Sequence, residues 1–161
     1  MMKHTFQRTL ILLKPDAVQR RLVGEILARF ERKGLNIVAL KLMRVSEDLA
    51  RRHYAVHKGK DFYEPLVRFI TSSPIVAAVL EGEEAIATAR KLVGSTFGRS
   101  ADPGTIRGDF GISKRFNLIH GSDSPQTAEF EIPLYFTPQE ILDFEPDDMP
   151  WLYDVTGPEP V

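Results

Sequence analysis

Four short apolar runs limit the folds open to this chain, because each is too brief to cross a membrane and each is followed by a helical or turn signal. They are "LILL" (Leu10 to Leu13, ended by Pro15 two residues later), "NIVALKLMRV", "PIVAAVLEG" and "FNLI", and each reads as a buried strand. Between the first two, Val23, Ile26, Leu27 and Phe30 recur at i, i+3, i+4 and i+7, an amphipathic helix that Gly34 terminates. Ser46 is placed as the N-cap of a second helix running to His57, and "FYEPLVRFITSS" adds a shorter helical piece. In "EEAIATARKLVG" acids precede and Arg90 and Lys91 follow, as a helix dipole favours. "TAEFEIPLYF" reads as a closing helix in which Pro133 fits poorly and could begin a second piece. This order predicts an α+β fold, with helices covering one face of a mostly antiparallel four-stranded sheet. A parallel doubly wound sheet ranks second. Residues 95–111 are glycine-rich and lack periodicity, which predicts a long surface loop of the kind that usually carries function.

With 161 residues the chain holds one domain, expected to span 1–161, and from about 138 to 161 a C-terminal extension rich in proline and acids should pack on the domain or on a neighbouring subunit. It has no cysteine, which excludes disulfide scaffolds and thiolate metal sites. No secretory pattern opens it, so a cytoplasmic setting is the expectation, with no membrane partner. The net charge of −1 hides a division: all 21 Lys and Arg lie within residues 1–115, while the remaining residues hold 10 acids and no Lys or Arg. A basic body of this kind favours anionic ligands.

His120 stands out among the titratable residues. It ends an apolar run, Gly121 leaves space and flexibility beside it, and Ser122 and Glu131 could orient one ring nitrogen so that the other faces a ligand. A nucleophilic imidazole needs that arrangement. A strict strand would send Asn117 and His120 to opposite faces, so for both to reach one pocket the chain must leave β geometry near Ile119. Phosphoryl transfer also needs cations and donors around phosphate oxygens, which Lys14, Arg90, Thr96 and Arg107 could supply from element ends and the long loop. Other patterns fail on context. "DFG" lacks a kinase catalytic loop upstream, and no P-loop or G-x-G-x-x-G turn occurs. His53 and His57 lie four apart without the glutamate of a zinc-protease motif, which favours a structural role for both.

"LLKPDAV", "HYAVHKGKDFY", "PGTIRGDFG" and "NLIHGSDS", in this order and spacing over almost the whole chain, closely resemble the nucleoside diphosphate kinase family. The resemblance implies a ferredoxin-like α+β fold and transfer of the γ-phosphoryl group from a nucleoside triphosphate to a nucleoside diphosphate by a ping-pong route through phosphohistidine. It implies His120 as nucleophile, with Glu131 and Ser122 orienting its ring, and Tyr54 beside the transferred group. Lys14 and Asn117 are implied at the sugar hydroxyls and nearby phosphate, and Arg90, Thr96 and Arg107 at the terminal phosphates. Phe62 is implied to stack on the base with Leu66 near it, which would accept purines and pyrimidines alike. Mg²⁺ is expected to bridge nucleotide phosphates, touching the protein at most through water from Asp123. A homo-oligomer is expected, hexameric before tetrameric. The family loop commonly has Asn-Pro after the threonine, whereas Phe97 and Gly98 follow Thr96 here, a change that bears on subunit contacts. Trp151 and Tyr153 are expected to dock on a neighbouring subunit. Two rival readings have less support: a nucleic-acid-binding sheet would need paired exposed aromatics absent from these strands, and an inactive scaffold would not keep His120 with all its donors.

Overall fold

The computed structural model describes residues 6–158 and 161; the outermost ends of the expected 1–161 domain, residues 1–5 and 159–160, lie outside the described residues. Strand β1 (Phe6–Leu13) leads into the short α1 (Pro15–Gln19) and then α2 (Val23–Arg32), followed by β2 (Asn36–Met43). Helices α3 (Glu47–His53) and α4 (Tyr63–Thr71) precede β3 (Ile75–Glu83), then come α5 (Ala85–Val93) and α6 (Ile106–Phe110). The three-residue β4 (Ile119–Gly121), α7 (Pro125–Tyr135) and α8 (Met149–Leu152) complete the order. The sheet runs β2-β3-β1-β4 with every neighbouring pair antiparallel, so the four-stranded α+β prediction holds.

The helices occupy both faces of this sheet, not one. Leu10 and Leu12 pack with Ala50 of α3, Val67 and Ile70 of α4 and Tyr135 of α7, whereas Ile11 and Leu13 pack with Ile26 and Phe30 of α2, Ala89 of α5 and Ile106 of α6. The physical reason is legible in the strands: Leu10 to Leu13 are all fully buried, and a strand without polar alternation must be covered on both sides.

Several boundaries differ from the sequence reading. β1 begins at Phe6, ahead of the apolar run, because its first residues still pair with β3 (Phe6 opposite Glu83). Pro15 does not merely end a strand; it opens α1 at N1, where its missing N–H costs nothing. The second predicted helix stops at His53 and tightens into a 3₁₀ turn, Ala55–His57. Glu83 belongs to β3 and Glu84 caps α5 at φ 45°, so the acids do not occupy the first helical turn. The long loop contains a 3₁₀ turn, Gly98–Ser100, and α6, whose N-cap Thr105 accepts from the Gly108 N–H. A Cβ on Gly108 would run into the Asp102 carbonyl, which explains glycine there. Finally, α7 passes through Pro133 unbroken and starts at Pro125, capped by the Ser124 side chain.

Candidate active site

β4 lies at the sheet edge, where its register sets the site. His120 is paired opposite Leu12, whose side chain belongs to the face covered by α3 and α7, and Ile119 opposite Leu13 belongs to the other. His120 therefore meets residues of α3 and α7. Its Nε2 lies 2.8 Å from Glu131 Oε2, off the line of a well-aligned N–H bond, and that nitrogen is fully buried. The imidazole still keeps 23% of its side-chain surface open, and no described residue bonds Nδ1. Nδ1 is thus the nitrogen free to meet a ligand. The Ser122 hydroxyl donates to Glu131 Oε1 at 2.7 Å and accepts from the Leu10 N–H at 3.3 Å, tying the carboxylate to β1.

The chain does leave β geometry near Ile119, as expected, with the bend at the adjacent Leu118; Gly121 lies in β4 and is not among the residues with positive φ. Leu118 has φ 71°, and the Ile119 N–H bonds the Asn117 carbonyl at 2.8 Å across it, which makes a left-handed γ-turn. A buried leucine in that region stores about 1–3 kcal/mol of strain and persists only where the surroundings over-determine it. They do so here. Arg107 Nε donates to the Asn117 carbonyl, the Lys14 N–H to the Leu118 carbonyl, and Asp16 Oδ2 accepts from the Leu118 N–H. The turn leaves the Asn117 amide beside Lys14: Lys14 Nζ donates to Asn117 Oδ1 at 2.8 Å, and Asn117 Nδ2 donates to the Thr96 carbonyl at 3.2 Å.

The predicted cations gather round this edge in different states. Arg90 is exposed and donates to the Gly121 carbonyl at 3.3 Å. Arg107 is buried, and its Nε and both terminal nitrogens donate to the carbonyls of Asn117, Gly94 and Ile119, so it braces the chain around His120 as well as charging it. Burial, and then Arg90, lower its pKa to about 10, still well above neutrality. Burial, then Arg107, lower that of Lys14 to about 8, against a smaller upward pull from Asp16. Burial also lowers the His120 pKa, outweighing the upward pull of Glu131, so the ring is neutral and nucleophilic near pH 7. For Glu131 burial pushes upward, but hydrogen bonds from His120, His53 and Ser122 win and hold it ionised well below the usual carboxylate range.

A neutral imidazole with one nitrogen free, set among guanidinium and ammonium groups, is equipped to accept a phosphoryl group. A family model described as nucleoside diphosphate kinase matches residues 7–141 of this sequence. The chain belongs to the nucleoside diphosphate kinase family. A nucleoside diphosphate kinase of Microcystis aeruginosa is 55% identical over 148 residues, 92% of this chain and 99% of that protein. Among solved structures, a halophilic nucleoside diphosphate kinase from Halobacterium salinarum in complex with CDP superposes with a TM-score of 0.90 at 48% identity, covering 91% of this chain and 98% of that one. A transition-state mimic of the Borrelia burgdorferi enzyme with bound vanadate and ADP gives 0.85 at 40% identity, covering 89% and 95%.

The remaining residues that the family resemblance pointed to are brought to the same end of the fold. Tyr54 is buried with its ring 4.7 Å from that of His53. Phe62 is 48% exposed, flanked edge-on by His57 and approached by Lys60 over its ring, while Leu66 one turn later packs on the core. The Thr96 side chain stands exposed on the loop. Asp123 is exposed, and its Oδ1 accepts from the Thr127 hydroxyl. Sequence reasoning missed His53 and Tyr135, which stand in direct or indirect contact with Glu131; His53 Nε2 lies 3.0 Å from Glu131 Oε2 and its Nδ1 2.7 Å from the Tyr135 hydroxyl. The only signal available was the i, i+4 spacing of Glu131 and Tyr135 on one helix face.

The lowered Lys14 pKa has a measurable consequence. Below about pH 8 the ammonium is charged, above it increasingly neutral, and bound phosphates favour the charged form. Nucleotide binding between about pH 8 and 9 is therefore expected to take up a proton at Lys14, seen as a calorimetric enthalpy that varies with buffer ionisation enthalpy, and Lys14→Met should remove that dependence. The folded pKa lies below the unfolded one, so Lys14 opposes folding fully below about pH 8 and this penalty fades as pH rises toward the unfolded value.

Proposed function

We propose that the chain transfers the γ-phosphoryl group of a nucleoside triphosphate to a nucleoside diphosphate, with His120 Nδ1 as the covalent carrier. The free Nδ1 of a ring whose Nε2 faces the buried, ionised Glu131 is the observation that carries this reading. The Nδ1 lone pair attacks the γ-phosphorus, the bond to the β–γ bridging oxygen breaks, and the diphosphate leaves with that oxygen. The ring then shares positive charge with Nε2–H, which faces the Glu131 carboxylate. The terminal oxygen of a second diphosphate attacks the phosphorus and returns the imidazole to neutrality. Arg90, Arg107 and Thr96 would hold the terminal phosphates, Lys14 and Asn117 the sugar hydroxyls and nearby phosphate, and Tyr54 would stand beside the moving group. Phe62 offers its exposed face to any base, with Leu66 beneath, so base selectivity should be weak.

The protein alone is poorly suited to caging Mg²⁺. The described residues that could share an ion, His53, His120 and Glu131, offer two nitrogens and one oxygen, whereas Mg²⁺ takes an octahedron of oxygens. The exposed Asp123 carboxylate fits an outer contact through water, and the ion, carried on nucleotide phosphates, would offset their charge. Self-association is part of the same reading. Leu40 and Leu42 on the edge strand β2 are 52% and 67% exposed, an apolar face suited to a second copy in a hexamer or tetramer. Phe97 is exposed while Gly98 packs on the Gly111 backbone, so the altered loop changes that outer surface more than the catalytic pocket. The extension departs from the intermolecular expectation at Tyr153, whose ring packs 5.3 Å from Phe6 of its own chain, and Trp151 is 90% exposed. Among the described residues no helix is long and apolar enough to cross a membrane, and a cytoplasmic setting suits the substrates.

Ping-pong transfer predicts parallel double-reciprocal lines when ATP is varied at several fixed concentrations of a second diphosphate such as TDP. Lines that intersect would mean direct transfer in a ternary complex and would refute the covalent route.

A further inference from the structure

We infer that His53 is a positioning residue for the reaction, holding Glu131 and, through it, the orientation and tautomer of the attacking imidazole. This rests on His120 being the nucleophile. An ionised carboxylate only accepts hydrogen bonds, so both ring nitrogens that meet Glu131 Oε2, His53 Nε2 at 3.0 Å and His120 Nε2 at 2.8 Å, must carry the proton. With its proton on Nε2, His53 must accept at Nδ1, and the Tyr135 hydroxyl, 2.7 Å away, is placed to donate there. Glu131 and Tyr135 lie one turn apart on α7, so a single helix face grips both ends of the His53 ring. His53, Glu131 and Tyr135 are all at most 6% exposed, and Ser122 occupies the other carboxylate oxygen. The chain Tyr135–His53–Glu131–His120 thus has one proton arrangement in which the carboxylate faces only N–H groups and Nδ1 of His53 has a donor, and it leaves the His120 Nδ1 lone pair free.

A histidine needed only for packing would be satisfied by backbone carbonyls. This one commits both nitrogens to the side chain that orients the nucleophile and to a tyrosine that fixes its own tautomer. The two rings stand edge to face, 4.8 Å apart at 76°. By sharing Oε2, His53 restrains the plane of the carboxylate and tempers its basicity, so Glu131 remains an acceptor and does not strip the proton from His120 Nε2. The other titratable groups facing this cluster are Lys14 after β1, Tyr54 after α3, His57 in the 3₁₀ turn and Tyr135 on α7. Loss of the His53 donor lets Glu131 protonate at higher pH, so the acid limb of the rate should move upward.

The test is rapid-quench measurement of enzyme phosphorylation by ATP, from about pH 5 to 9, on melting-checked variants. His53→Ala is expected to phosphorylate about tenfold more slowly at neutral pH, with nucleotide affinity within about twofold and the acid limb shifted up. His53→Gln, whose amide can donate to the same oxygen, should recover most of the rate, and Tyr135→Phe should shift the profile in the same direction as alanine but less. Wild-type rate and acid limb in His53→Ala, or a folded glutamine variant no better than alanine, would overturn the inference. If His53→Ala does not fold, Tyr135→Phe decides, and a wild-type profile in it overturns the inference. Failure of the wild type to become phosphorylated on His120 would instead sink the underlying assignment of the nucleophile.

Discussion

His120→Ala is expected to lower kcat by roughly 10⁴-fold or more while leaving a folded, nucleotide-binding protein. The size follows from the role. Lys14, Arg90 and Arg107 would still gather phosphates, but neither of the other described imidazoles near the cleft replaces this ring: His53 is bonded at both nitrogens, and His57 Nδ1, though unpartnered, is buried, with its ring edge-on to Phe62. Folding should survive because Glu131 keeps two of its three donors, His53 on Oε2 and Ser122 on Oε1, so the loss of one partly exposed ring costs about 1–2 kcal/mol. Steady-state turnover, nucleotide titration and a melting curve on one preparation separate the outcomes. Retained turnover would remove the nucleophile from the account; lost folding with lost turnover would make His120 structural.

Arg107→Ala should show the largest stability effect at the site, and that conclusion comes from geometry more than from charge. The family resemblance made Arg107 a phosphate ligand. In the fold its guanidinium also donates to the carbonyls of Asn117, Gly94 and Ile119, bridging both sides of the strained Leu118 turn to the end of α5. Truncation leaves three carbonyls short of a donor and frees a turn that is unfavourable by itself. We expect a loss of about 3–5 kcal/mol in unfolding free energy, measured by urea denaturation, beyond a weakening of phosphate binding by about 1.5–3 kcal/mol. Arg107→Lys should restore little of the stability, because one ammonium cannot reach three carbonyls in the guanidinium geometry. If lysine restored stability fully, the brace would be wrong and only the charge would matter.

These two residues show how far the sequence could be read. His120, Ser122 and Glu131 were legible together because they sit within one turn-and-helix segment, where spacing limits who can meet whom. The same spacing hid His53, since its partners lie on α7, and a helix registers only its own periodicity. Arg107 was legible as a cation but not as a strut, for a side chain bonding carbonyls leaves no residue-type signature at its partners. A bend near Ile119 was legible from the need to bring Asn117 and His120 to one pocket, but not its seat at Leu118 or its independence of Gly121; leucine gives no hint of left-handed backbone when distant groups such as Asp16 enforce it. By contrast, coverage of both sheet faces is readable in the unbroken apolar runs of β1 and β3.

The most direct measurement is an intact and peptide-resolved mass spectrum, kept at alkaline pH, after brief exposure of the protein to ATP and removal of free nucleotide. One phosphoryl group on the peptide bearing His120, lost on addition of any nucleoside diphosphate, is the expected result. A phosphoryl group on Ser122 instead, or none on a protein that still turns over, would contradict the assignment of His120 Nδ1 as the carrier.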